Sequence, residues 1–306
     1  MIYDSIILGA GPAGLSAAVY AKRLKLKIFV LSRDVGGQAI EAYKIDNYLG
    51  MPGVLGVELV EKFSQHVKNL GVEIKEGIKE ISILPSSQNS FGVKTNSGEF
   101  ETKSIIIATG KGYRHLDVLG AEKFEGKGIS YCTTCDAPLF SGKIVAVVGA
   151  GDAGQDAACQ LKEYASKVYL INKYDNLRGD DQRIQDEIRN SEKIELINNA
   201  KVAEVKGDKF VSSLVYQSFK NNEQKEIAIQ GIFVEIGSVP NSDFLRNLVD
   251  LNEKGEIIID HKTGATSKPG IFAAGDVTDV PEKQIIIAAG DGAKAALAAY
   301  QYLKSK

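Results

Sequence analysis

The sequence predicts an α/β protein in which one strand-turn-helix-strand unit occurs twice, the second copy lying inside the domain that the first begins. Three observations carry this. Residues 6–34 (IILGAGPAGLSAAVYAKRLKLKIFVLSRD) lie over residues 146–174 (AVVGAGDAGQDAACQLKEYASKVYLINKY) without a gap. In each copy a short apolar run leads into G-A-G-x-A-G, a helix-period segment follows, and a second apolar run (KIFVL, KVYLI) closes the unit. After the second copy has ended near GIFVEIGSVPN (231–241), PGIFAAGDV (269–277) supplies another buried strand that stops at small residues.

Each element has a physical reason. In such a turn the first glycine (Gly9, Gly149) permits the tight bend and the second (Gly11, Gly151) lets a ligand approach the backbone. The third (Gly14, Gly154) lets the helix pack close to the strand. The helix N-terminus then offers free amides and partial positive charge, the features that hold a pyrophosphate. The fold class expected is therefore two Rossmann-like dinucleotide-binding domains, the second inserted into the first, with a flavin in one and a nicotinamide in the other. The boundaries expected are 1–115 and 243–306 for the outer domain and 116–242 for the insert. The crossings, near GYRHLDV (112–118) and SVPNSDF (238–244), are expected to be adjacent linkers and a hinge. KSIIIATG (103–110) reads as one more buried strand ending in a small-residue turn. The stretch from Lys283 reads as a long helix whose N-terminus faces the flavin.

The chain has 306 residues, 44% of them hydrophobic and 25% charged, which suits a globular protein with a substantial core. Its formal net charge is −2 and its 37 basic residues are scattered, so the footprint of a nucleic-acid binder is missing. Small molecules and proteins are the expected partners. The N-terminus lacks the basic region of a secretory signal, and Asp291 and Lys294 interrupt the longest apolar stretch. A cytoplasmic protein without membrane partners is expected.

Cys132 and Cys135 stand in YCTTCDAP (131–138), directly before Asp136. Zinc needs four ligands, and only Cys159 and His66, His115 and His261 remain, none at a matching spacing, so no metal is expected. A static staple across so short a gap restricts the unfolded chain little. A cycling dithiol needs a nucleophilic thiolate, a nearby leaving sulfur and a proton carrier, and this stretch at the start of a helical turn supplies all three. Cys159, on the helix after the second glycine turn, reads as a buried, inert residue.

With these motifs in view, the chain resembles the low-molecular-weight thioredoxin reductases from end to end. Its C-terminal half also resembles the flavoprotein reductase that serves bacterial peroxiredoxins. The residues that carry this are GAGPAG, VGGQ (35–38), IDNYLG (45–50), IIIATG, GKGISYCTTCDAPLF (126–140), VVGAGDAG and FAAGDV. The resemblance implies an FAD domain interrupted by a pyridine-nucleotide domain that carries a redox-active disulfide, usually in a homodimer. It implies FAD contacts at Gly9, Gly11, Pro12, Ala13, Gly14, Gly37, Gln38, Asn47, Thr109, Gly110, Gly275, Asp276, Gln284 and Ile285. NAD(P)H contacts are expected at Gly149, Gly151, Asp152, Ala153, Gly154, Asn172, Lys173 and Arg178. It also implies that Cys135 faces the flavin, Cys132 attacks the substrate and Asp136 shuttles the proton. The activity expected is transfer of electrons from NAD(P)H through FAD and the dithiol to the disulfide of thioredoxin or a thioredoxin-like protein.

The chain departs from the family pattern in two places. NADPH-preferring members carry H-R-R-x-x-x-R where this chain has NKYDNLR (172–178), so two cations survive and two are lost. An NAD-selective site would want an acid at the strand end, and Asn172 is not one, while Asp175 lies three positions further on. NADPH, NADH and dual use stay open, with NADPH the narrow favourite on Lys173 and Arg178. Ala137-Pro138 replaces the usual glycine after the acid. Relatives with eroded nucleotide motifs take electrons from ferredoxin or a deazaflavin, and the intact second glycine turn argues against such a donor here. Because the chain opens on the first glycine turn, thioredoxin is expected in preference to a peroxiredoxin. A non-catalytic redox sensor is the rival from another class.

Overall fold

The computed structural model describes residues 2–42, 45–87, 90–179 and 181–306. The chain divides into two compact units, an outer one (Met1–Gly112 with Val239–Lys306) and an inserted one (Tyr113–Ser238). Along the outer unit run β1 (Ile2–Ala10), α1 (Pro12–Arg23), β2 (Ile28–Val35), α2 (Gly56–Asn69), β3 (Ile74–Lys75), β4 (Ile81–Ser87), β5 (Ser90–Thr95) and β6 (Gly98–Ile107). The chain leaves through β7 (Lys111–Tyr113). The insert contains β8 (Ile129–Ser130), α3 (Thr133–Asp136), β9 (Ile144–Val148), α4 (Asp152–Leu161), β10 (Lys167–Ile171), α5 (Gln182–Asn190) and β11 (Ile194–Ile197). Then come β12 (Ala200–Gly207), β13 (Val211–Ser218), β14 (Gln224–Ala228) and β15 (Gly231–Val234), and the chain returns through β16 (Ser238–Pro240) to β17 (Ile271–Ala273) and α6 (Ile285–Lys304).

The outer sheet runs β3-β2-β1-β6-β5-β4, with β17 also pairing β6. Its β3, β2, β1, β6 and β17 neighbours are parallel, while β6, β5 and β4 pair antiparallel. A parallel sheet must be covered on both faces, and the two-residue period of its strands delivers this. Ile7, Val30 and Ile106 pack on one side with Ala17, Ala18 and Ala21 of α1 and Ala295, Ala296 and Ala299 of α6. Ile6, Leu8, Leu31, Ile105 and Ile107 face the other side, with Leu245, Val249 and Ile257. Small residues let α1 and α6 lie close together.

The inserted sheet runs β11-β10-β9-β15-β8, all parallel, beside an antiparallel three-stranded sheet β12-β13-β14. The same alternation recurs: Val145, Val147 and Phe233 pack with Ala157, Ala158 and Leu161 of α4. Ala146, Val148, Ile232 and Val234 pack with Val202, Val205, Val211 and Leu214 of the small sheet.

The two crossings, β7 and β16, pair as a two-stranded sheet. The expected junctions at 115/116 and 242/243 lie slightly downstream of the observed ones at 112/113 and 238/239. The reason is local. Arg114 N donates to the Gly237 carbonyl within the inserted unit. Asn241 is bonded back to Thr109 and Gly110 of the outer unit. No helix among the described residues is long and apolar enough to cross a membrane.

Candidate functional site

The outer glycine turn joins β1 to α1. Gly9 has φ +105°, and a Cβ there would lie 2.2 Å from the Ala108 carbonyl oxygen. A Cβ on Gly14 would lie 1.9 Å from the Gly9 oxygen. At Gly11, by contrast, the nearest neighbour of such a Cβ is the Gly36 oxygen at 3.8 Å. The first and third glycines are thus closed by protein and the second faces open space, as expected where a pyrophosphate meets the backbone at a helix N-terminus. Pro12 opens α1, where its missing N–H costs no hydrogen bond.

Several of the residues assigned to a flavin come together around this turn. Gly37 lies against Gly11, its Cβ position 3.7 Å from the Gly11 Cα. Ser32 accepts from the Ala10 N–H and donates to the Asp34 carbonyl, fixing the end of β2. A Cβ on Gly275 would lie 2.9 Å from that of Ala13, placing Asp276 beside the start of α1. Burial raises the Asp276 carboxyl, opposed by the charges of Lys283 and Lys111 and reinforced by that of Asp291. Asn47 donates to the Gln284 side chain at 2.9 Å, and Gln284 caps α6, which begins at Ile285. Thr109 and Gly110 follow β6 after Ala108 and are knitted to Asn241. The Gln38 side chain has no described hydrogen bond that places it in this group.

The inserted turn repeats the geometry. Gly149 has φ +104°, with its Cβ position 2.1 Å from the Glu235 oxygen, and that of Gly154 is 2.0 Å from the Gly149 oxygen. Nothing lies within 4 Å of a Cβ on Gly151. Asp152 and Ala153 form the first turn of α4. The segment after β10 is anchored from behind by buried amides. Asn172, 2% exposed, donates to the Asn176 carbonyl and to Asn198, and accepts the Tyr174 N–H. Its polar atoms are therefore spent on the loop. Gln155, also 2% exposed, donates to the Ala150 and Arg178 carbonyls. Lys173 and Arg178 are exposed, and the Arg178 guanidinium stacks 3.3 Å from the centre of the Tyr174 ring.

The inserted unit also holds the cysteine turn. Cys132 is disulfide-bonded, whereas Cys135 sits in α3 with its side chain outside the described residues. The Ser130 hydroxyl donates to Asp136 Oδ2 at 2.7 Å and accepts the Cys132 N–H at 3.1 Å, which fixes the acid beside the cysteine. Thr133 donates to Glu235 Oε1 at 3.2 Å. Burial pushes the Glu235 carboxyl up to about 7, with the Thr133 hydrogen bond opposing and the Asp156 charge adding. Ala137 is buried, while Pro138 and Leu139 are exposed next to the turn. Cys159 is a free thiol that burial pushes up to about 12.

Sequence reasoning passed over Ser130, Gln155, Glu235 and the cluster of half-buried Lys111 and Lys283 around buried Glu256. The signal for Glu235 is a lone acid closing the apolar run GIFVEIG; the other residues carry no local pattern.

Three comparisons agree with this geometry. The family model described as pyridine nucleotide-disulphide oxidoreductase matches residues 3–295. The F subunit of alkyl hydroperoxide reductase from Pseudomonas putida is 40% identical over 304 residues, covering 98% of this chain and 58% of that protein. The chain thus spans less than two thirds of that relative's length. The thioredoxin reductase of Lactococcus lactis, in its FR conformation, superposes with a TM-score of 0.91 at 37% identity, covering 99% of this chain and 100% of that one. The T. acidophilum thioredoxin reductase gives 0.89 at 39% identity, covering 98% of each chain.

Proposed function

Because the chain belongs to the pyridine nucleotide-disulphide oxidoreductase family, we propose that it takes electrons from NADPH through FAD to the disulfide at Cys132 and passes them to thioredoxin or a thioredoxin-like protein. The observation that carries this reading is the pair of glycine turns, each with its middle glycine open, one of them in the same unit as the cysteine turn. FAD fits the outer unit, held at Gly9–Gly14, Gly37, Asn47, Asp276 and the start of α6. NADPH fits the inserted unit at Gly149–Gly154. When bound, the two groups supply two-electron transfer from nicotinamide to flavin and on to a disulfide.

The remaining steps belong to the chain's own residues. We assign Cys135 as the second sulfur of the disulfide. After reduction, the Cys132 thiolate attacks one sulfur of the substrate disulfide, and the other leaves with the bonding electron pair. Cys135 then attacks the mixed disulfide, restoring the internal bond and releasing the second substrate thiol. Asp136, held by Ser130, carries the proton to the departing sulfur.

For the donor, Lys173 and the Tyr174-stacked Arg178 favour a 2′-phosphate, and no acid stands where Asn172 is spent on the loop. A homodimer is the assembly proposed. The relative from alkyl hydroperoxide reductase supports a second reading, in which the acceptor is a thioredoxin-like module serving a peroxiredoxin. Oxidation of NADPH in the presence of thioredoxin and insulin tests the first reading: turnover that Cys132→Ser abolishes is expected, and absence of turnover with thioredoxin refutes it.

A further inference from the structure

We propose that Glu235 is a positioning residue for the disulfide-bearing turn, one that ties the turn to the glycine loop of the same unit and sets the ease of opening the disulfide by the charge it carries. The proposal rests on reading that turn as the electron-transferring disulfide. Glu235 directly follows β15, at the carboxyl end of a strand with β9 on one side and β8 on the other. Its carbonyl oxygen fills the place a Cβ on Gly149 would take, and its own Cβ lies 3.5 Å from that of a side chain placed at Gly154. Its carboxylate reaches the other way, to the hydroxyl of Thr133. Thr133 is 7% exposed and is the residue after Cys132. One residue therefore meets the glycine loop with its backbone and the cysteine turn with its side chain.

The groups acting on this carboxyl are the Thr133 hydroxyl from α3 and the charge of Asp156 from α4. With the carboxyl pushed up to about 7, its charge changes around neutral pH. Neutral, it sits half-buried at the strand end at little cost. Ionised, it sets a negative charge against Asp156 and beside the turn. Opening the disulfide requires an attacking thiolate to bond one sulfur while the other leaves as a thiolate with the electron pair. A negative charge nearby makes that departing thiolate costlier, so opening slows as Glu235 ionises.

The test is the rate at which dithiothreitol reduces the disulfide of the purified flavoprotein between pH 6 and pH 8.5, measured by quenched thiol counting. Two electrons and two protons pass to the protein as dithiothreitol closes to its cyclic disulfide. The ratio of Glu235→Gln to wild-type rates cancels the reagent's own titration. We expect this ratio to rise by about threefold or more, with a midpoint near 7. In Thr133→Val the midpoint should move to higher pH, because the lost hydrogen bond is the one that lowers it. A ratio that stays constant with pH, or a midpoint unmoved in Thr133→Val, overturns the proposal. No nucleotide takes part, so failure of the NADPH reading leaves this result intact, and failure here leaves the turnover reading standing.

Discussion

Glu256 offers the sharpest test of how the outer unit is held together. Its side chain is 10% exposed and lies 3.1 Å from Lys111 Nζ and 3.2 Å from Lys283 Nζ. Asn252 donates to its other oxygen at 2.9 Å. Burial works to raise this carboxyl, but the hydrogen bonds from Asn252, Lys111 and Lys283 and the charge of Lys283 outweigh it and take the pKa from 4.5 to about 2. At about 1.4 kcal/mol per tenfold change in acidity, the charged form contributes about 3 kcal/mol of stability at neutral pH. Glu256→Gln keeps the shape but removes the ion-pair partner of two largely buried lysines. It should lower the melting midpoint of the outer unit by about 6–12 °C. The pKa is depressed on folding, so the contribution is complete above the unfolded value and is lost as pH falls toward the folded one. The gap between wild type and Glu256→Gln, followed by circular dichroism at a series of pH values, should therefore fall to less than half by about pH 3. A variant that melts with wild type at pH 7, or a gap that is the same at both pH values, refutes the reasoning.

Three further outcomes follow from the same contacts. Gly151→Ala should fold normally, since nothing crowds its Cβ, yet weaken nucleotide binding by about tenfold or more in a fluorescence titration; Gly149→Ala, with φ +104° and the Glu235 oxygen in the way, should fail to fold stably. If Arg178 meets only the extra phosphate, as proposed, Arg178→Ala should raise KM for NADPH at least about tenfold and leave KM for NADH nearly unchanged in steady-state assays. Cys159, pushed up to about 12, should be alkylated by iodoacetamide at pH 8 about a thousandfold more slowly than an ordinary thiol, read by mass spectrometry after labelling the native protein.

Much of the architecture was legible because parallel strands announce themselves. The runs around Ile6–Leu8, Ile105–Ile107 and Val145–Val148 are apolar on both faces, and each ends at small residues where a chain must bend or admit a ligand. The tight bend at Gly9 and Gly149 and the close packing at Gly14 and Gly154 could be read from spacing alone, because both follow from backbone geometry. The junctions were placed slightly late because Arg114 and Asn241 choose their unit by hydrogen bonding, which spacing does not encode. The bonds that tie the Asn172 amide to Asn176, Asn198 and Tyr174 were not legible, because they depend on how the loop after β10 folds back. Glu235 and Ser130 escaped notice because their partners, Thr133 and Asp136, become neighbours only when β15 and β8 lie in one sheet beside α3.

The measurement that bears most directly on the central claim is an anaerobic titration of the purified flavoprotein with NADPH, and separately with NADH, while flavin absorbance is followed. The account predicts rapid bleaching by NADPH, with two electrons taken up by the flavin and two by the disulfide, and the second pair lost in Cys132→Ser. A flavin that stays oxidised with both nucleotides yet bleaches with dithionite would contradict it.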